Sequence, residues 1–211
     1  GWTNRIFFWE DVVKKSPQKA RSYVSLGGAY QERGLTDFAV AAYSKATFLA
    51  DDKEKPDSIL ALALLYAESG NYNKALSEIE RAKELSPINS PALHYVIGTV
   101  YAKAGYNEKA IKSYKESLNR DSGFVLARYA LGDLYQRSGL YDDAIIQYKE
   151  IIKADPNSAR AYNDIGVIYG KKGMLAEAET NFLLALRLDP DFAPAIKNLK
   201  TIFQLKEDRN E

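Results

Sequence analysis

The sequence predicts an all-α chain made of one helical pair copied several times. Three observations carry that prediction. Residues 159–192 hold Tyr162, Ile165, Gly166, Tyr169, Gly173, Ala178, Phe182, Ala185 and Pro190, and the same residue types return at the same offsets of a 34-residue unit further up the chain. Within each unit the apolar positions fall at helical spacing, in two runs parted by a glycine. A period of this length marks stacked helical pairs, in which no unit buries its apolar face alone.

Residues 1–19, GWTNRIFFWEDVVKKSPQK, align backward on the unit: Pro17 takes offset 32, Val12 offset 27, Trp9 offset 24 and Trp2 offset 17. They read as the second helix of a partial preceding repeat, with Trp2, Ile6, Trp9 and Val13 on one stripe. The chain is therefore expected to be a fragment of a longer protein. Trp2, Phe7 and Phe8 form an N-terminal aromatic face suited to self-association.

The first full repeat is 20–53, with Tyr23, Leu26, Gly27, Tyr30, Gly34, Ala39, Tyr43 and Ala46; Asp51 stands where proline is expected. The second, 56–89, has Leu62, Ala63, Tyr66, Gly70, Ala75, Ile79, Ala82 and Pro87. The third, 91–124, has Ile97, Gly98, Tyr101, Gly105, Ala110 and Tyr114, with Ser117 and Ser122 departing from Ala and Pro. The fourth, 125–158, has Leu131, Gly132, Tyr135, Gly139, Ala144, Tyr148 and Pro156, with Ile151 in place of Ala. The fifth is 159–192. Residues 193–211 read as a capping helix and tail, in which Ile196, Leu199, Ile202 and Phe203 pack on the last repeat and Lys200 blocks a further close helix.

The offsets have mechanical readings. Gly or Ala at offset 8 is expected to face Ala at offset 20 and let the two helices approach. Gly at offset 15 is expected to end the first helix at φ > 0. Pro at offset 32 stops the second helix.

This pattern, aromatic-x2-Leu-Gly-x2-Tyr, then Ala-x3-Phe, then Pro, resembles the tetratricopeptide repeat. The resemblance covers nearly the whole chain. It implies a right-handed superhelical α-solenoid whose first helices line a concave groove. The opening WTNRIFFWEDVVKKSPQKARSYVSLG also resembles the junction in large membrane proteins where a polytopic glycosyltransferase-like segment runs into a C-terminal repeat array. That resemblance implies a membrane-anchored parent with repeats outside the cytoplasm.

Composition narrows the function. A net charge of +1 provides no field for nucleic acid. The absence of cysteine excludes thiolate nucleophiles and cysteine-based zinc sites. The single histidine, His94, sits at offset 4, where it reads as a packed structural residue. No apolar run reaches the roughly 18 residues of a membrane span. Asp142/Asp143 and Asp51/Asp52 fall at turns or second-helix starts, where carboxylates cap or meet the helix dipole. Gly27-Gly28 lies inside a helix and is no phosphate loop. No catalytic constellation, cofactor or metal site is expected, and the chain is not read as an enzyme.

The groove positions implied by the resemblance give the candidate partner-binding residues. They are Leu60, Leu64, Tyr95, Val96, Thr99, Leu126, Tyr129 and Asp133, with Lys103, Arg137 and Lys171 at first-helix ends. Arg160 and Asp164 occupy the same offsets in the fifth repeat, at 2 and 6. The middle reads as apolar; the charged ends run from Glu32 and Glu68 to Lys103, Arg137 and Lys171. Two family sites are absent. Val24, Gly28, Leu60 and Leu64 replace the Lys and Asn that clamp a terminal carboxylate in chaperone-tail receptors. Ser25, Ala61, Val96, Ala130 and Asp164 replace the asparagine ladder of sugar-transferase superhelices. The expected function is a protein-interaction scaffold that binds a peptide or helical segment with an acidic flank. The alternative is an accessory repeat domain of the membrane-anchored parent.

Overall fold

A computed structural model describes residues 2–51, 55–85 and 90–208, and side chains within 5–51, 57–84 and 90–208. Trp2 (as a side chain), Asp52 and Pro87 thus lie outside what is described. The described residues form α-helices and turns only, in two compact units, Gly1–Arg120 and Asp121–Glu211.

The first unit contains α1 (Trp2–Lys15), α2 (Ala20–Gln31), α3 (Thr36–Leu49), α4 (Lys55–Glu68), α5 (Tyr72–Leu85), α6 (Pro91–Lys103) and α7 (Asn107–Arg120). Helices α2 and α3, α4 and α5, and α6 and α7 pack as pairs, and α4 also packs on α6. The second unit contains α8 (Val125–Arg137), α9 (Tyr141–Ala154), α10 (Ala159–Lys171), α11 (Leu175–Leu188) and α12 (Ala193–Glu207). Here α8 pairs with α9 and α10 with α11, while α12 packs on both α10 and α11. No helix of the described residues is long and apolar enough to cross a membrane.

Each pair is closed by the same device. Gly34, Gly70, Gly105, Gly139 and Gly173 have φ between +69° and +84°. The residue after each glycine donates its N–H to the carbonyl of the tyrosine five positions back, at 2.8–3.0 Å. That is the Schellman closure, and it satisfies an orphan carbonyl of the first helix. A Cβ at any of these glycines would meet nothing within 4 Å. Glycine is thus required for the backbone angle and not for space.

At offset 8 the requirement is the reverse. A Cβ on Gly27, Gly98, Gly132 or Gly166 would come within 2.6–2.8 Å of the ring of Tyr43, Tyr114, Tyr148 or Phe182 respectively. This corrects the expected pairing with Ala at offset 20: the small residue makes room for the offset-24 aromatic. The second repeat tests the point within one chain. It has Ala63 in place of glycine, and its offset-24 residue is Ile79; both are buried in one core cluster.

The second helices end as the sequence suggests where proline is present. Asp155 and Asp189, each before a proline, are extended (φ −133°, ψ 93° and φ −138°, ψ 94°). Ser117, the departure from Ala at offset 27, is buried and donates its hydroxyl to the Pro91 carbonyl at 2.7 Å. In α12, Ile202 is buried and Leu199 packs with Phe182 and Ala178. Phe203 does not pack as expected, because it turns 45% of its surface to solvent.

Candidate functional site

In the first unit the predicted groove centre is largely core. Leu60 and Val96 are only 6% and 5% exposed, and they share a cluster with Ile59, Leu93, Ile97 and Val100. The physical reason is that α6 lies on α4, so Leu60 of α4 and Val96 of α6 are buried in the cluster the two helices share. Leu64 and Tyr95 are half-buried against the same cluster. The Tyr95 ring lies 6.1 Å from that of Tyr114. Thr99 receives the Tyr114 hydroxyl proton at 3.3 Å and donates to the Tyr95 carbonyl at 2.9 Å. Lys103 is exposed at the end of α6. A cleft of about 570 Å3 lies between α2 and α4, lined by Arg21, Val24, Ser25, Asp51, Asp57 and Ser58.

The acidic groups at the first-helix ends of this unit are already engaged. Arg5 grips Glu32 through both carboxylate oxygens at 2.6 and 2.7 Å. The Tyr43 hydroxyl donates to Gln31 at 2.9 Å, and Gln31 donates in turn to Glu68. Burial first, then Glu68 and Glu32, raises the Tyr43 pKa. His94 is half-buried, and that burial, opposed by Glu116, lowers its pKa.

In the second unit the same offsets form a polar assembly. The Arg160 guanidinium stacks on the Tyr129 ring at 3.9 Å. It also reaches Asp133 Oδ2 at 3.3 Å and Asp164 Oδ2 at 3.4 Å. The remaining oxygen of each carboxylate is held from behind. Tyr148 donates its hydroxyl to Asp133 Oδ1 at 2.6 Å, and Asn163 Nδ2 donates to Asp164 Oδ1 at 3.1 Å. Asn198 of α12 donates to Asn163 Oδ1 at 2.9 Å, and the Tyr129 and Ser158 hydroxyls are hydrogen-bonded to each other at 2.8 Å. Asp164 Oδ2 is buried and receives no aligned hydrogen bond. Burial, opposed by Asn163 and Arg160, lifts the Asp164 carboxyl to about 6. Burial and the bond to Asp133 raise the Tyr148 hydroxyl strongly. Leu126 is 56% exposed, and Arg137 and Lys171 are exposed at the ends of α8 and α10.

The structure therefore joins Tyr129 and Asp133 in one site and adds Arg160, Asp164, Asn163 and Asn198, which the groove reading did not single out. A signal for part of this was present in the sequence. Offset 9 is polar, Thr99 or Asp133, where it accepts the hydroxyl of a tyrosine fifteen residues on. It is apolar, Leu64 or Val167, where offset 24 is Ile79 or Phe182 and has no hydroxyl; the first repeat departs, with Gly28 at offset 9 and the Tyr43 hydroxyl turned to Gln31 instead. Thr99 and Asp133 are thus partners of core tyrosines as well as candidate ligand contacts. On α1, Phe7 and Phe8 are 66% and 57% exposed.

Comparison with known proteins places the chain. The tetratricopeptide repeat description matches residues 129–191 in one form and residues 56–89 and 91–124 in another. Mouse tetratricopeptide repeat protein 14 is 32% identical over 117 residues, which are 53% of this chain and 15% of that protein. The crystal structure of the APC/C hetero-tetramer Cut9-Hcn1 superposes with a TM-score of 0.73 at 20% identity, over 96% of this chain and 39% of that one. YrrB, described as a TPR protein with an unusual peptide-binding site, superposes with a TM-score of 0.60 at 22% identity, over 91% of this chain and 97% of its own. This chain thus spans a small part of the mouse protein and less than half of the APC/C chain. Proteins of this repeat are in general non-enzymatic scaffolds that bind proteins or peptides. With a five-fold 34-residue recurrence, the glycine-closed helix pairs and family matches over more than half its length, the chain belongs to the tetratricopeptide repeat family.

Proposed function

We propose that the chain is a protein-interaction scaffold whose first-helix faces bind a peptide or helical segment of a partner. The observation that carries this is the set of side chains on those faces that the core does not consume. In the first unit they are the half-buried Leu64 and Tyr95 and the exposed Lys103; in the second they are Leu126, more than half exposed, the half-buried Tyr129, and the exposed Arg137 and Lys171. The cations match an acidic flank of the ligand, and Thr99 and Asp133 offer polar contacts beside the aromatic rings. The peptide-binding site named for YrrB is consistent with this use of the fold.

The test compares partner capture by the native chain, by the Tyr95→Ala/Tyr129→Ala variant and by a charge-reversed Lys103→Glu/Arg137→Glu/Lys171→Glu variant. Both variants lose capture on this reading, and the second keeps its melting temperature because its side chains are exposed. Undiminished capture by both removes the site. The exposed Phe7 and Phe8 support a second contact, self-association. A monomer mass that does not change with concentration in light scattering removes that contact.

A further inference from the structure

We propose that the slot formed by Tyr129, Asp133 and Asp164 is a receptor for an arginine side chain of the partner, held in the free protein by the chain's own Arg160. This deepens the peptide-binding reading and rests on it.

The slot has the parts that guanidinium recognition needs. An aromatic face supplies a stacking platform, and two carboxylates flank it. Each carboxylate is fixed through its far oxygen, Asp133 by the Tyr148 hydroxyl and Asp164 by Asn163, leaving Oδ2 of both turned toward the cation. Asn198 in turn fixes Asn163.

Arg160 fills this slot imperfectly. Its contacts of 3.3 and 3.4 Å are longer than the roughly 2.7–2.9 Å of a well-made charge-assisted bond. The Asp164 Oδ2 atom stays buried without an aligned donor. Anchored on α10 four positions before Asp164, Arg160 meets both carboxylates only at these longer distances, whereas a guanidinium arriving from solvent is free of that tether. Arg160 is also 53% exposed in its side chain, so it can leave without unpacking the core.

The second charge of the ligand follows from the same helices. Arg137 lies four residues beyond Asp133 and Lys171 seven beyond Asp164. At about 1.5 Å per residue these cations stand roughly 6–10 Å along the helices. The fitting partner is therefore a short segment with an arginine in the slot and an acidic residue toward Arg137 and Lys171.

The experiment titrates the full chain with N-acetyl-arginine amide and with its uncharged isostere N-acetyl-citrulline amide, read by amide NMR shifts. Arg160→Ala removes the resident occupant, and Arg160→Ala/Asp133→Asn also removes one carboxylate. The expected result is weak binding to the native chain and about tenfold tighter binding to Arg160→Ala, because the competing state is gone. Shifts centre on Tyr129 and Asp164, the citrulline probe gives none, and the second variant loses the effect. Arg160→Gln serves where alanine fails to fold, and failure of both overturns the proposal by making Arg160 a structural residue. It also falls if arginine and citrulline probes bind alike, if no saturable shift occurs, or if N-acetyl-aspartate amide binds the native chain and not Arg160→Ala. A chain that loses partner capture in the Tyr95/Tyr129 variant yet ignores the arginine probe keeps the scaffold reading and loses only the slot.

Discussion

The same offsets do opposite things in the two units. In the first, offsets 5 and 6 place Leu60 and Val96 in a dry core. In the second, they place Tyr129, Asn163 and Asp164 in a connected set of hydrogen bonds and ion pairs. The repeat therefore sets the backbone and leaves the chemistry of the first-helix face open. One unit uses that freedom for an apolar core, and the other for a charged, hydrogen-bonded site.

Two substitutions break or sharpen this contrast. Leu60→Ala should destabilise the first unit by about 2–5 kcal/mol, since it empties a fully covered position. Asn163→Ala at the same offset should cost about 1–2 kcal/mol, the loss of hydrogen bonds to Asp164 and Asn198. Equal costs in urea unfolding would erase the contrast between the units.

The next effect concerns a feature both units share. Gly98→Ala should cost about 1–3 kcal/mol, because the methyl meets the Tyr114 ring. Adding Tyr114→Ile should recover part of that loss, since Ala63 with Ile79 already coexist in the second repeat. A double-mutant cycle with no coupling would show that ring and methyl do not compete.

The smallest effect is the pH dependence of the second unit. The Asp164 carboxyl titrates at about 6 when folded and near its ordinary 3.8 when unfolded. Between those values the folded state holds more protons, so this group's contribution to stability falls as pH rises from about 4 to 6 and is level above. Asp164→Asn removes that fall. At pH 7 it should gain on the order of 1 kcal/mol, the ion pair with Arg160 being lost at the same time. The gain should vanish near pH 4, and a gain independent of pH in thermal melts would contradict the assignment.

Much of the fold was legible because it is written in single residues with single mechanical duties. Gly34 and its four equivalents announce the turn, and Pro156 and Pro190 the helix ends. The site was less legible. Leu60 and Val96 look like groove residues on a helix taken alone and become core only when α4 and α6 pack on each other. Asp133, read as a ligand contact, is also bonded to Tyr148, because a tyrosine hydroxyl buried fifteen residues away needs an acceptor. Arg160 and Asp164 make a site only with Tyr129 and Asp133 of the preceding repeat, a relation that no single repeat contains.

The glycine–aromatic fit bears on how such a chain can be rearranged. Gly132 suits Tyr148, and Ala63 suits Ile79; exchanging only the first helices would drive a methyl into a ring in one chimera and leave a void in the other. Tyr148 would also lose Asp133, its acceptor, and gain Leu64. Viable crossovers therefore fall between repeats and not at the glycine turn within one. The heritable module is the complete helix pair, even though its two helices look interchangeable in outline.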